Sequence, residues 1–153
     1  VSSLLALGFK RYEISAFSKN NQESNHNMGY WLGREYLGFG PSAHSYCNKK
    51  RYSSVSDLSA YIDLLSSDKD PTIFIEELKY PDNINELLVV NLRLVKGIDI
   101  KSFEKRFNLK IPQKTMVNLD VLVKEGLLSN KDDLYRLSKK GLLFYDHIAS
   151  LLI

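Results

Sequence analysis

His26-Asn27-Met28-Gly29-Tyr30-Trp31 puts an imidazole, an amide, a glycine and two large aromatic rings in six consecutive positions. Imidazole is an axial ligand for haem iron, and aromatic faces stack on a macrocycle, so the chemistry on offer is ligation of a metalloporphyrin. Composition alone gives Tyr30 and Trp31 a plainer reading as packing residues. His44, just after the Gly38–Pro41 turn, suits a hydrogen-bonded structural role at least as well as a functional one, and His147 reads as a surface or half-buried side chain. Cys47 is the single cysteine. It cannot close an internal disulfide, and a zinc site or an iron–sulfur cluster needs about four ligands, so any such cofactor has to lie outside this chain.

These side chains must be positioned by a chain of 153 residues, 44% apolar and 25% charged. A domain of this size buries roughly 68–70% of its unfolded surface and needs neither disulfides nor a structural metal. Collagen-like, disordered and disulfide-framework readings are excluded. No apolar run approaches the roughly 20 residues of a membrane span, and Val1 to Leu7 lacks the basic flank and length of a secretion signal. The default location is cytoplasmic. Because the chain opens at Val1 directly in an apolar helix pattern, it is expected to be part of a longer one. Residues 1–52 hold seven Lys/Arg against three Asp/Glu, a net of +4, whereas residues 53–153 hold fourteen against fifteen, a net of −1. The basic excess therefore belongs to the first third.

Local signals set out the expected elements. Leu4, Leu5 and Leu7 before Gly8 read as the end of a helix. Tyr12 to Phe17 alternates and predicts a short strand, the polar run from Ser18 to Met28 a loop, and Tyr36 to Pro41 a buried strand entering a tight turn. Ser53 to Asp70 predicts a helix around Leu58, Tyr61, Ile62, Leu64 and Leu65. Glu86 to Val95 predicts another, stopping at Lys96-Gly97. Asp99 is placed to cap a helix carrying Phe103 and Phe107 on one face. Pro112 starts the next, with Met116, Leu119, Leu122 and Val123 as its apolar stripe and Gly126 as its stop. Leu127 to Leu137 reads as a β-hairpin around Asn130–Asp133, and Ser138 caps a final helix through Ile148. Three helices, a hairpin and a closing helix in this order predict a winged-helix fold for residues 84–153.

Tyr12-Glu13-Ile14-Ser15, the HNMGYW run, and Tyr36-Leu37-Gly38-Phe39-Gly40-Pro41-Ser42-Ala43-His44-Ser45 occur in an order that resembles the C-terminal half of the oxygen-independent coproporphyrinogen III oxidase-like radical SAM proteins. The likeness is greatest to their haem-chaperone branch, HemW, which shows EISNFA, HNxxYW and YLGxGxxAHS in that order. It continues through Asn91-Leu92-Arg93-Leu94, Gly97-Ile98-Asp99, Gly126-Leu127-Leu128 and Tyr135-Arg136-Leu137-Ser138, so it covers nearly the whole chain. The resemblance implies an α+β chain: the last strands of a truncated radical SAM (β/α) barrel over residues 1–52, a linker and helix over 53–83, and a winged-helix-like C-terminal domain over 84–153. It further implies a [4Fe–4S] cluster and S-adenosylmethionine in the intact family. The CxxxCxxC that holds the cluster is absent here, so this chain is expected to have no radical SAM activity.

By the same resemblance His26 is the haem-iron ligand, with Asn27, Tyr30 and Trp31 as its neighbours, and Phe17, Ser18, Gly38, Gly40 and His44 lie near the cofactors. Ala16 and Ser18 depart from EISNFA, and Asn20-Asn21 replaces the usual Pro-Gly. The expected function is haem binding and delivery to acceptor proteins, membrane-associated ones included, in partnership with an N-terminal radical SAM domain. The alternative is part of a coproporphyrinogen III oxidase that decarboxylates porphyrinogen propionates. Exposed strand edges invite pairing into a homodimer. A winged helix also invites DNA binding, with Gln113 and Asn118 able to read an adenine edge. Residues 112–125 set Lys114 and Lys124 against Asp120 and Glu125, however, so the electrostatic term that dominates DNA affinity is missing and no specific DNA partner is expected.

Overall fold

The computed structural model describes residues 1–153. Its elements run α1 (Ser2–Ala6), β1 (Lys10–Arg11), β2 (Phe17–Ser18), α2 (Asn25–Trp31), β3 (His44–Cys47), β4 (Lys50–Ser54), α3 (Leu58–Ser66), β5 (Thr72–Glu77), α4 (Asp82–Leu92), β6 (Ile98–Asp99), α5 (Ile100–Phe107), α6 (Gln113–Lys124), β7 (Leu128–Lys131), β8 (Leu134–Leu137) and α7 (Tyr145–Leu152). The chain is α+β and divides into two compact units, Val1–Gly33 with Tyr80–Ile153, and Arg34–Lys79.

The first unit is built on α4, α6 and α7. Ile84, Leu88 and Leu92 meet Leu119, Leu122, Ile148 and Leu152 in one buried cluster, joined by Phe103 and Tyr135. Helix α4 runs Asp82–Leu92, starting four residues ahead of the expected Glu86 and ending before Lys96-Gly97, whereas the local signals of α5 and α6 act as expected. Asp99 Oδ1 accepts the Ser102 amide at 2.8 Å, and Phe103 packs edge-on to Phe107 with centroids 4.8 Å apart. Pro112 precedes α6, whose first turn has no use for a proline N–H. Gly126 leaves α6 at φ +72°. The β7–β8 hairpin closes through Asp132 and Asp133, both at positive φ, the two-residue primed turn whose twist matches the strands. Strand β6 pairs with the far side of β8, giving the sheet order β6-β8-β7.

Three expectations need correction in this unit. Residues 12–17 are not one strand. Ile14 N–H donates to Arg93 O (3.1 Å) and Val95 N–H to Tyr12 O (3.0 Å), while the Tyr12 amide reaches Ala16 O (3.2 Å). The segment lies along Arg93–Val95 and then doubles back, the turn held by Glu13, whose carboxylate accepts the Ser15 amide and hydroxyl at 3.2 and 3.0 Å. Second, the polar run to Met28 is not all loop, because Ser24 Oγ accepts the Asn27 amide (3.3 Å) and starts α2. Third, Ser138 does cap a turn, accepting the Gly141 amide at 2.9 Å. That turn does not run on into the last helix, which begins only at Tyr145.

In the second unit β3, β4 and β5 form an antiparallel sheet with α3 in the β4–β5 connection. The expected helix starts late, at Leu58 behind the Asp57 cap, because Ser53 and Ser54 belong to β4. Tyr36 to Pro41 is not a buried strand: Leu37 and Phe39 are 62% and 87% exposed. Its backbone is engaged locally, with Gly38 N–H on Ser45 Oγ (3.0 Å) and Gly40 at φ +107°. No residue between 34 and 79 is fully buried. No helix of the protein is long and apolar enough to cross a membrane.

Candidate functional site

Helix α2 carries the HNMGYW run, and the helical period divides its side chains. His26 is exposed in the first turn. Tyr30, one turn on, meets it edge-on with ring centroids 4.9 Å apart at 90°, which fixes a ring beside the imidazole and leaves the imidazole open to solvent. Asn27 is half-buried. Trp31, five positions from His26, points about 140° away around the helix, and there it meets Arg93.

Arg93 organises that side. Its guanidinium lies 4.3 Å from the Trp31 ring centroid and 5.1 Å from that of Tyr145. One amino group stands 3.7 Å from the carboxylate of Glu13, which is only 2% exposed. Burial raises the Tyr145 phenol above its ordinary pKa, and the Arg93 charge opposes that rise. The end of α2 is secured further by Asn91 Nδ2 donating to Trp31 O (2.7 Å) and Arg106 donating to Leu32 O (2.6 Å). Gly33 then exits at φ +65°, where a Cβ would come within 2.5 Å of Leu87 Cδ2. Three stretches singled out in the sequence, around Glu13, Trp31 and Arg93, therefore converge. Nothing local in sequence marks Arg93 as their junction or Tyr145 as its second aromatic partner.

Of the remaining candidates, Phe17 lies under the Arg11 guanidinium at 5.2 Å, and Ser18 is buried on β2. Ser18 and Met28 share the wall of an open groove of about 570 Å³ with Lys10, Arg11, Lys96 and Arg136. Gly38, Gly40 and His44 belong to the second unit. There Gly38 lines a depression of about 380 Å³ with Ser45, Cys47 and Tyr52, and His44 is exposed at the start of β3, opposite Ser53. Cys47 Sγ donates to Glu35 at 3.7 Å. His147 is exposed on α7. The donor set does not fit an iron–sulfur cluster: there is one thiol, and no three His, Cys, Asp or Glu side chains converge to hold a metal ion.

Residues 78–144 match the HemN C-terminal domain family. The match takes in α4 through β8 and so defines the class to which this core belongs. Over 148 residues the chain is 30% identical to the heme chaperone HemW of Bacillus subtilis, covering 97% of this chain and 39% of that protein. It is 31% identical over 157 residues to the mitochondrial radical S-adenosyl methionine domain-containing protein 1 of Danio rerio, covering 92% and 34%. The structure matches coproporphyrinogen III oxidase (HemN) from Escherichia coli, a radical SAM enzyme, with a TM-score of 0.76 at 17% identity, over 99% of this chain and 38% of that one. Residues 78–144 thus carry a HemN C-terminal domain, and the chain as a whole, similar to HemW over nearly its full length, spans between a third and two fifths of the length of these relatives.

Proposed function

We propose that this protein binds haem on α2, with an imidazole nitrogen of His26 as one axial ligand, and passes it to acceptor proteins, membrane-associated ones among them. The observation that carries the reading is the exposed imidazole with Tyr30 set against its edge, within a run that matches HNxxYW at every fixed position, in a chain whose relatives include named heme chaperones. An axial nitrogen and an aromatic edge are what the protein side of such a site supplies. Haem is here the cargo. Titration with haem should give a Soret band that His26→Ala weakens and shifts and His147→Ala leaves alone. An unchanged spectrum and affinity in His26→Ala would remove the assignment.

The reading extends to the rest of the chain. The α4-α5-α6 helices with the β6-β8-β7 sheet are proposed as a winged-helix arrangement serving docking, and residues 1–52 as the closing strands of a radical SAM barrel, with 53–83 as linker. Cluster and S-adenosylmethionine then belong to an N-terminal radical SAM domain with which this region works, in the cytoplasm, and the free edge of β5 is the place for a second copy to pair. A second reading, part of an oxidase acting on coproporphyrinogen III, is favoured by the fold likeness to HemN. It would be supported by propionate decarboxylation in a complex reconstituted with a cluster-bearing domain.

A further inference from the structure

We infer that Arg93 is a positioning residue for haem ligation: clamped between Trp31 and Tyr145 and paired with Glu13, it sets the direction in which α2 presents the His26 imidazole. The inference rests on the haem reading above. It begins from the helix itself. Seven residues make two turns, too few to hold a helix in water without tertiary support, so the orientation of α2 is decided by what grips it. At its start the Ser24 side chain caps it, and His26 stands exposed. Its end is gripped three times, by Asn91 on the Trp31 carbonyl, Arg106 on the Leu32 carbonyl and Arg93 on the Trp31 ring. The ligand-bearing end is thus the free arm of a lever whose other end is fixed.

Of the three grips, Arg93 is the one that acts on a side chain of α2 rather than on a backbone carbonyl. Trp31 Nε1 and Arg93 Nε are both buried without a hydrogen-bond partner, so the Trp31 ring is held on this side by the stack, and the guanidinium by the stack and its pairing with Glu13. A guanidinium is flat and lies face-on to aromatic rings while its edge still meets a carboxylate, which an ammonium cannot do. The carboxylate it meets is immobilised in turn, since Glu13 is buried and already accepts the Ser15 amide and hydroxyl. Leaving that charge unpaired is costly, which keeps Arg93 in place. Through Tyr145 the same cation touches α7, so the C-terminal helix and the haem helix share one anchor.

The test uses the 153-residue chain and its single tryptophan, Trp31, whose emission reports the stack directly. Arg93→Met keeps an unbranched stem but loses fork and charge, and Arg93→Lys keeps the charge alone. Both are compared with His26→Ala for Trp31 emission, haem affinity and Soret position. The expected result is a displaced Trp31 emission in both variants, at least a tenfold loss of haem affinity in Arg93→Met with a Soret band moved toward that of His26→Ala, and a smaller loss in Arg93→Lys. Combining Arg93→Met with His26→Ala should cost no more affinity than His26→Ala alone, because a positioning residue acts through the ligand it positions. Wild-type Soret band and affinity in Arg93→Met, or in Arg93→Lys with its emission displaced should Arg93→Met fail to fold, would overturn the inference while leaving His26 as ligand. Insensitivity of haem binding to His26→Ala would overturn both.

Discussion

The Arg93 guanidinium and the Trp31 ring lie 4.3 Å apart, although the two residues are sixty-two positions apart in sequence. Their contact is completed by Glu13, buried to 2% exposure and 3.7 Å from the guanidinium. Glu13→Gln keeps the size of the side chain and removes its charge. The variant is expected to lose about 1–3 kcal/mol of stability, the usual cost when a charged hydrogen-bonding group loses its partner. Urea unfolding followed by Trp31 emission measures it.

Reductive cleavage of S-adenosylmethionine needs an iron–sulfur cluster, and Cys47 is the only thiol available to hold one. After anaerobic reconstitution, iron and sulfide analysis of this chain should show no stoichiometric cluster. A stable four-iron cluster would contradict the prediction.

Duplex DNA should bind α6 weakly and without sequence preference. The helix and its flanks carry no net charge, and Asn118, the residue best suited to an adenine edge, donates its side-chain amide to Leu151 O at 2.7 Å. An anisotropy titration is expected to show at most a weak signal that vanishes at moderate salt. Sequence-selective, sub-micromolar binding at physiological salt is the contrary result.

Tyr135 gives the protein a stability limit in alkali. Burial first, and then its hydrogen bond to Asp120 (2.9 Å), push its phenol up to about 12 from the ordinary 10. Below pH 10 it is neutral whether the chain is folded or not, and its contribution is complete. Between 10 and 12 the unfolded chain ionises while the folded one does not, so stability falls with pH and the contribution is lost as pH passes the folded value. In Tyr135→Phe this part of the decline should be absent. The difference between urea midpoints of the two proteins at pH 8 and pH 11.5 tests it.

What could be read from the sequence was what is encoded within a few residues. Asp99, Pro112 and Gly126 mark helix ends by their own backbone and capping chemistry, and Asp132-Asp133 makes its turn alone, so the elements from α5 to β8 appear where the pattern predicts them. Helix α2 failed that test because SNHN is polar and breaker-rich, and the helix there depends on Asn91, Arg93 and Arg106, far along the chain. Tyr36 to Pro41 differs for the opposite reason: an apolar run marks burial only where another layer covers it, and Leu37 and Phe39 are exposed. Of the candidate site, the HNMGYW residues were legible as a motif. Their separation into a His26–Tyr30 face and a Trp31–Arg93 face was not, since only the helical turn and a distant cation decide it.

The uneven burial of the chain also governs how it opens. Backbone amides under α4, α6 and α7 are shielded by side chains that water hardly reaches, so they exchange hydrogen with solvent only when the whole core comes apart. The amides of β3, β4 and β5 have no such shield, since no residue from 34 to 79 is fully covered. Their ladder is expected to open locally, at a lower free energy than the core. In deuterated water the sheet should lose its protons in an early phase and the three core helices in a late one, giving one short polypeptide two separate clocks.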